Sequence, residues 1–516
     1  MTTLSMPELL TESIDTVQTG PGGFARGLIP YAVVLFGVLA GFSVEHLLRP
    51  VPAFPYDDPY ITLHSAQVLH SGSDPNYPGV PALFGVTSAP FAGLIYLLLF
   101  VLPPLQALDV ACWIGVFSYA CGLVYLANVL RLSRYRKWLV VFIGLASAPV
   151  PVHWLNGLET SCALAAVTWT LGFASLGFTS SDRRGLVAAA FLAGVSASFR
   201  PDLLPFALLV TGALAWNLVH ESRRSKRMWV GLLVLAFAVV APILLCGFWY
   251  WHQTGSPIPL TGVAKRYFFA EDHWPLSRRI GAEANGAILF AAALGPLVLT
   301  VPVMCRSRLG KALLLTLLLF AAALFVQFPA EFVVNEFRYP VVLVPMLIWG
   351  LGKMLNDANG LRHRRADRLM YICSAYAAVM LPVCFHFYRT ERIFFEAGPS
   401  HVTEWCEKNL APGTTVLVHD AGYLAYSTSF RTVDFVGLKT PSAISVNRQY
   451  TWPSAGKTRA EAVASIAVQS GTRYLILNAI WPPVVTLARE LRALGWRVEL
   501  LYRAGTFEIF RIEPPV

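Results

Sequence analysis

Tyr56-Asp57-Asp58-Pro59-Tyr60 sets two adjacent carboxylates just beyond the first apolar run of the chain, Gly27–Val44. No Lys or Arg occurs between Arg49 and Arg131, so the pair has no basic neighbour in sequence. Acids at a membrane boundary are costly unless water solvates them or chemistry uses them. Two readings follow: a wet acidic loop, or a catalytic base at the mouth of a cavity between helix ends. The rest of the chain decides between them.

Apolar residues make up 55% of the 516 and charged residues 14%. With a mean hydropathy of +0.55, this is no soluble globular profile. Many windows approach the roughly 20 apolar residues that cross a bilayer. The formal charge of +10 lies in short basic runs between apolar segments. Such runs mark topology, and no nucleic-acid partner is expected. Eight cysteines show no CxxC pair and no metal-ligand spacing, so neither a disulfide framework nor a zinc site follows.

Residues 1–25 read as polar and cytoplasmic, and Gly27–Val44 as an uncleaved signal anchor. The basic runs are Arg131–Lys137, Arg183-Arg184, Arg223–Arg227, Arg306–Lys311 and Arg362–Arg368. Placed inside, they require an even number of crossings between consecutive runs. Spans then fall near 138–154 and 161–178, on the two halves of 185–220, and on 228–251, 286–305, 312–328 and 340–353, with 369–388 as the exit. Residues 89–130 hold two apolar runs split by Pro103-Pro104, where parity allows one crossing. The span is therefore 107–130, and 90–102 is an interfacial or re-entrant helix. Tyr60–His70 reads as a short amphipathic helix ended by Ser71-Gly72-Ser73.

The expected fold is an α-helical polytopic membrane protein of about eleven transmembrane helices, N-terminus in and C-terminus out. Residues 1–396 form the membrane module and 397–516 a small extracytoplasmic α/β domain. Strand-like runs lie at Thr415–His419, Thr432–Val436, Arg473–Leu477, Val498–Tyr502 and Thr506–Ile512, with a helical pattern at Val484–Leu494 closed by Gly495. There is no P-loop, no GxGxxG and no inverted repeat.

This topology gathers Asp57, Asp58, His64, Glu159, Arg200, Asp202, His252, Lys265, Glu331, Glu336 and Arg338 on the outer face. Taken singly, such residues snorkel to headgroups or pair structurally. Acids and bases from five successive loops suit a pocket assembled between helix ends. The matching chemistry has Asp57 or Asp58 accept a proton from an incoming hydroxyl while Lys265 and Arg338 hold a phosphate leaving group. His64, Glu159, Arg200 and His252 are candidate substrate contacts. Asp57, Asp58 and Glu159 are hard oxygen ligands that suit a divalent cation. Lys and Arg alone can serve a lipid monophosphate, so no obligatory cofactor or metal is expected. A transporter or flippase of a lipid-linked envelope precursor is the alternative, but it would place charges near span centres.

Tyr-Asp-Asp-Pro-Tyr-Ile-Thr-Leu at 56–63, with Asn76-Tyr77-Pro78-Gly79 and Val86-Thr87-Ser88-Ala89-Pro90, resembles the first-loop signature of GT-C glycosyltransferases. The likeness continues at Asn156-Gly157-Leu158-Glu159-Thr160, Phe199-Arg200-Pro201-Asp202, Pro257–Lys265 and Phe337-Arg338-Tyr339. It recurs at His419-Asp420-Ala421-Gly422-Tyr423 and Val433-Asp434-Phe435-Val436-Gly437-Leu438. Within the superfamily it is nearest to the mycobacterial terminal arabinofuranosyltransferases, though His64 stands where relatives carry Arg. The resemblance implies an inverting glycosyltransferase with a polyprenyl-phosphate-sugar donor and an envelope glycan or glycolipid acceptor. It also implies the bacterial inner membrane, an extracytoplasmic site, and a first-loop acid, Asp57, as the general base.

Overall fold

The computed structural model describes residues 21–48, 52–180, 183–222, 226–357 and 361–515. Most of the expected cytoplasmic segment 1–25 and part of the basic run Arg223–Arg227 lie outside them. The chain runs α1 (Pro21–Leu48), α2 (Asp58–Ser71), α3 (Ala89–Leu98), α4 (Pro104–Val129), α5 (Arg134–Ala146), α6 (Thr160–Ser180), α7 (Arg183–Phe199), α8 (Leu204–Ser222) and α9 (Lys226–Thr254). After α10 (Thr261–Phe269) and α11 (Leu276–Leu294) come α12 (Val301–Met304), α13 (Arg308–Gln327), α14 (Val334–Phe337), α15 (Val344–Asp357) and α16 (Leu361–Phe395).

Local chemistry sets the ends that matter. Pro59 occupies the first turn of α2, where a missing N–H costs nothing. Gly72 closes that helix at φ 78° and donates its amide to the Val68 carbonyl. Pro103-Pro104 separates α3 from α4 and starts α4 cleanly. The Ser307 hydroxyl caps α13 by accepting from the Gly310 amide at 3.0 Å.

Among the described residues, nine helical stretches are long and apolar enough to cross a membrane. The chain is a multi-pass membrane protein. The other two expected crossings fall on α5, 13 residues, and α7, 17 residues, both short of a full span by length. The expected interfacial helix corresponds to α3, an apolar helix too short to cross. Small residues let the helices meet at backbone distance, since a Cβ on Gly194 of α7 would lie 2.2 Å from the Val239 carbonyl oxygen of α9.

Beyond α16 lies the sheet unit: α17 (His401–Asn409), β1 (Thr415–Val418), α18 (Tyr423–Ser427), β2 (Arg431–Asp434), α19 (Pro441–Gln449), α20 (Arg459–Ser470), β3 (Tyr474–Asn478), α21 (Leu487–Ala493), β4 (Arg497–Ala504) and β5 (Phe507–Glu513). The strand order is β2-β1-β3-β5-β4. β2, β1 and β3 are parallel, while β5 runs antiparallel to both β3 and β4. Leu417, Phe435, Leu475, Phe510 and Ile512 share one core with Phe268 of α10, so the segment between α9 and α11 is packed onto the sheet. The connections leaving the carboxyl ends of β1 and β2 turn toward the first loop.

Candidate active site

A cavity of about 310 Å³ opens where the first loop, one set of helix ends and the sheet unit meet. Asp58, Glu159, Arg200, Asp202, Lys265, Glu331, Arg338 and Tyr339 supply its polar lining. Ile258, Leu324, Phe328 and Leu438 supply apolar wall. Asp58, Ile61 and Thr62 share one face of α2 and present it to the cavity. Lys265 comes from α10, Arg200 from the break between α7 and α8, and Arg338 from the turn before α15.

That last turn is unusual. Asn335, Glu336 and Phe337 take left-handed backbone at φ 47°, 51° and 67°, a conformation worth about 1–3 kcal/mol of strain per non-glycine residue. Three contacts hold it. Tyr56 donates its hydroxyl to the Glu336 carboxylate. His153 Nε2 donates to the Glu336 carbonyl at 2.9 Å, with the tautomer assigned by the Asn156 amide donating to Nδ1 at 2.8 Å. Arg200 donates to the Arg338 carbonyl at 2.7 Å. Tyr56, His153 and Asn156 thus aim Arg338 without lining the cavity themselves.

The charges interlock. Arg338 pairs with Asp58 through one terminal nitrogen and reaches Glu159 at 3.6 Å through the other, while its Nε has no partner among the described residues. Lys265 lies 3.8 Å from Glu331 and 3.2 Å from the Tyr339 hydroxyl. The Tyr339 ring stacks under three cations, with Arg200, Lys265 and Arg338 all within 6 Å of its centroid. Arg200 holds Asp202 with two parallel hydrogen bonds of 3.1 and 2.6 Å. Burial pushes Asp58 up, but the Arg338 and Lys265 charges outweigh it and hold Asp58 below the usual carboxylate value. Burial pushes the Lys265 ammonium down, yet Glu331, Tyr339 and Asp58 hold it above its ordinary value. The arrangement keeps an ionised carboxylate beside fixed cations in a partly apolar cavity.

Of the residues expected from sequence, Asp58, Glu159, Arg200, Lys265 and Arg338 converge. Asp57 does not line the cavity; its two carboxylate oxygens accept the backbone amides of Gly422 and Tyr423, at 2.7 Å each. Desolvation and then the Asp420 carboxylate push Asp57 well above the usual range, against those two amides. His64 sits two positions past Thr62, on another face of α2, and bonds Asp74 at 3.1 Å. His252 is exposed near the end of α9, close to Phe248, and lines no part of the cavity. Asp57, Asp58 and Glu159 therefore do not converge as a cation site, and no group of three or more metal-ligating side chains forms among the described residues. Tyr339, Leu438 and the Thr87–Thr261 hydroxyl pair at 3.2 Å were not anticipated as site residues. Tyr339 follows Arg338 directly and was legible in principle; Leu438 is separated from Tyr339 by α15, α16 and the sheet unit as far as β2.

Comparison with known proteins fits this architecture. A family profile described as "Domain of unknown function (DUF8728)" matches residues 388–510. No curated protein sequence matches significantly. Among solved structures, ArnT from Cupriavidus metallidurans, bound to undecaprenyl phosphate, aligns with a TM-score of 0.51 at 12% identity, covering 95% of this chain and 98% of that one. The Archaeoglobus fulgidus oligosaccharyltransferase aligns at 0.46 and 11%, over 88% of this chain and 70% of that one. The arabinofuranosyltransferase AftD from Mycobacteria aligns at 0.46 and 14%, over 94% of this chain and 41% of that one. The ArnT match shows a shared GT-C-like fold over nearly the whole chain.

Proposed function

We propose that the chain is an inverting membrane glycosyltransferase. It takes a sugar from a polyprenyl-phosphate donor and passes it to a hydroxyl of an envelope glycan or glycolipid on the outer face of the bacterial plasma membrane. The observation that carries this reading is the cavity itself, which sets Asp58 against Arg338 and Lys265 beside the apolar side chains of Ile258, Leu324 and Phe328. A polyprenyl phosphate needs both surfaces, and ArnT, which shares the fold, has been solved with undecaprenyl phosphate bound. The acceptor oxygen attacks the anomeric carbon, its proton passes to a carboxylate, and the carbon–oxygen bond to phosphate breaks. Arg338 and Lys265 take up the charge that develops on the departing phosphate. Asp58 is the better-placed base, because it lines the cavity and its partner charges keep it ionised. Arabinofuranose is the sugar the first-loop resemblance favours. The basic runs support an extracytoplasmic site, and a reporter fused after Val516 that worked only in the cytoplasm would overturn that orientation.

The test is incubation of the purified protein with synthetic polyprenyl-phosphoryl sugars, arabinofuranose among them, scoring release of polyprenyl phosphate. Asp58→Asn should lower turnover on the order of 10²–10⁴-fold with donor binding retained. Release from none of the donors would sink the function, and near wild-type turnover in Asp58→Asn would sink the base.

A further inference from the structure

The first loop is held by the sheet unit at both ends and in the middle. At its start, Asp57 takes the Gly422 and Tyr423 amides. Gly422 approaches so closely that a Cβ there would lie 2.3 Å from the Asp57 carbonyl oxygen and 2.9 Å from Oδ2. Midway, Tyr77 donates its hydroxyl to the Ala421 carbonyl at 2.8 Å, and the Asn76 amide donates to the Thr428 and Phe430 carbonyls at 2.7 and 2.9 Å. At the far end, Gly85 runs at φ 88° against the turn after β2, where a Cβ would lie 2.5 Å from the Leu438 carbonyl oxygen. Asp434 shapes that turn by accepting the amides of Val436, Gly437 and Lys439. Leu438, thus placed, lines the cavity.

From this we infer that the sheet unit is a working wall of the cavity and that Asp57 is a positioning residue, through which Gly422 and Tyr423 set Asp58. The inference rests on the glycosyltransferase reading above. Both oxygens of Asp57 are engaged by backbone amides, and its carboxylate faces away from the cavity toward Asp420 and Tyr423. The next residue begins α2 and meets Arg338. Freeing Asp57 releases the start of the helix that carries Asp58, and a displacement of 1 Å at a reacting group can cost about 10²-fold.

Gly422→Ala tests this from the opposite side, because it wedges the contact without altering Asp57 or any cavity residue. Turnover, donor binding and backbone hydrogen exchange are measured on full-length Asp57→Asn, Gly422→Ala and the milder Tyr77→Phe. The expected result is a shared signature. All three lower kcat, by about 10- to 100-fold in the first two and less in Tyr77→Phe, with KM for donor nearly unchanged. Exchange rises together over 57–66 and 419–427 while the core of α4 and α6 stays protected. The acid limb of the kcat profile persists in Asp57→Asn, since the base is retained. If Asp57→Asn loses turnover and that acid limb without any rise in exchange, while Gly422→Ala and Tyr77→Phe stay active, Asp57 is the base and the inference is overturned. A joint rise of exchange in the three variants, with a wild type that releases polyprenyl phosphate from no donor, would uphold the docking and reject the glycosyltransferase reading alone.

Discussion

Arg338 does two jobs at the scale of a single residue: it pairs with Asp58 and Glu159, and its Nε, without a partner among the described residues, is left to donate. A lysine keeps the charge but presents one ammonium point in place of a planar fork. Arg338→Lys should therefore lower kcat/KM by about 10- to 100-fold, less than the roughly 10²–10³ of losing an oxyanion donor outright. Kinetics with a single polyprenyl-phosphoryl sugar checks this, and an unchanged kcat/KM would remove Arg338 from the phosphate grip. The sequence shows this residue because an arginine between Phe337 and Tyr339 at a span end is conspicuous. It does not show which of Asp57 and Asp58 faces inward. That choice depends on where Gly422 lies, 365 residues away, and no local pattern reports such a contact.

At the scale of elements, most of the architecture is readable. The helix expected at Tyr60–His70 is α2, and its stop at Gly72 follows from backbone chemistry. The five strand-like runs each fall on a strand, because short apolar β-branched stretches between turn residues have few alternatives. His64 and His252 lie off this cavity for a common reason: a helix face is set by its neighbours, and spacing alone does not say which face looks inward. Helix packing carries its own prediction. Gly194→Ala should destabilise, because the added methyl meets the Val239 backbone, which cannot rotate away. Overpacking of this kind costs about 1–3 kcal/mol, more than the gain of up to about 1 kcal/mol in helix propensity. Gly212→Ala is the control, since no neighbouring atom among the described residues lies within 4 Å of its added Cβ. Thermal midpoints in detergent should fall for Gly194→Ala and hold or rise for Gly212→Ala. Equal midpoints in the two variants would mean that α7 and α9 do not pack at this distance.

The whole molecule turns on how firmly the sheet unit is joined to the membrane helices, and Lys439 lies at that joint. It is fully buried, donates to the Ser65 hydroxyl at 3.1 Å, and lies over the Tyr77 ring. Burial pushes its ammonium down to about 8 from an ordinary 10.5, with the Asp74 and Asp434 carboxylates opposing the shift. Below pH 8 the lysine is charged both folded and unfolded, so the folded joint bears the full desolvation penalty. Between about pH 8 and 10.5 the folded protein sheds the proton while the unfolded chain keeps it, so stability rises with pH across that window. A difference of this size is worth on the order of 3 kcal/mol when complete. Lys439→Met keeps the stem against Gly85 and removes the titrating group. The wild-type thermal midpoint should therefore gain on the variant between pH 7.5 and 9.5, while the variant at pH 7.5 should be at least as stable as the wild type. Parallel pH dependence in the two proteins would show that Lys439 is not the buried cation of the joint. A gain confined to the wild type would show that the first loop and the sheet unit unfold as one body, as a cavity built from both requires.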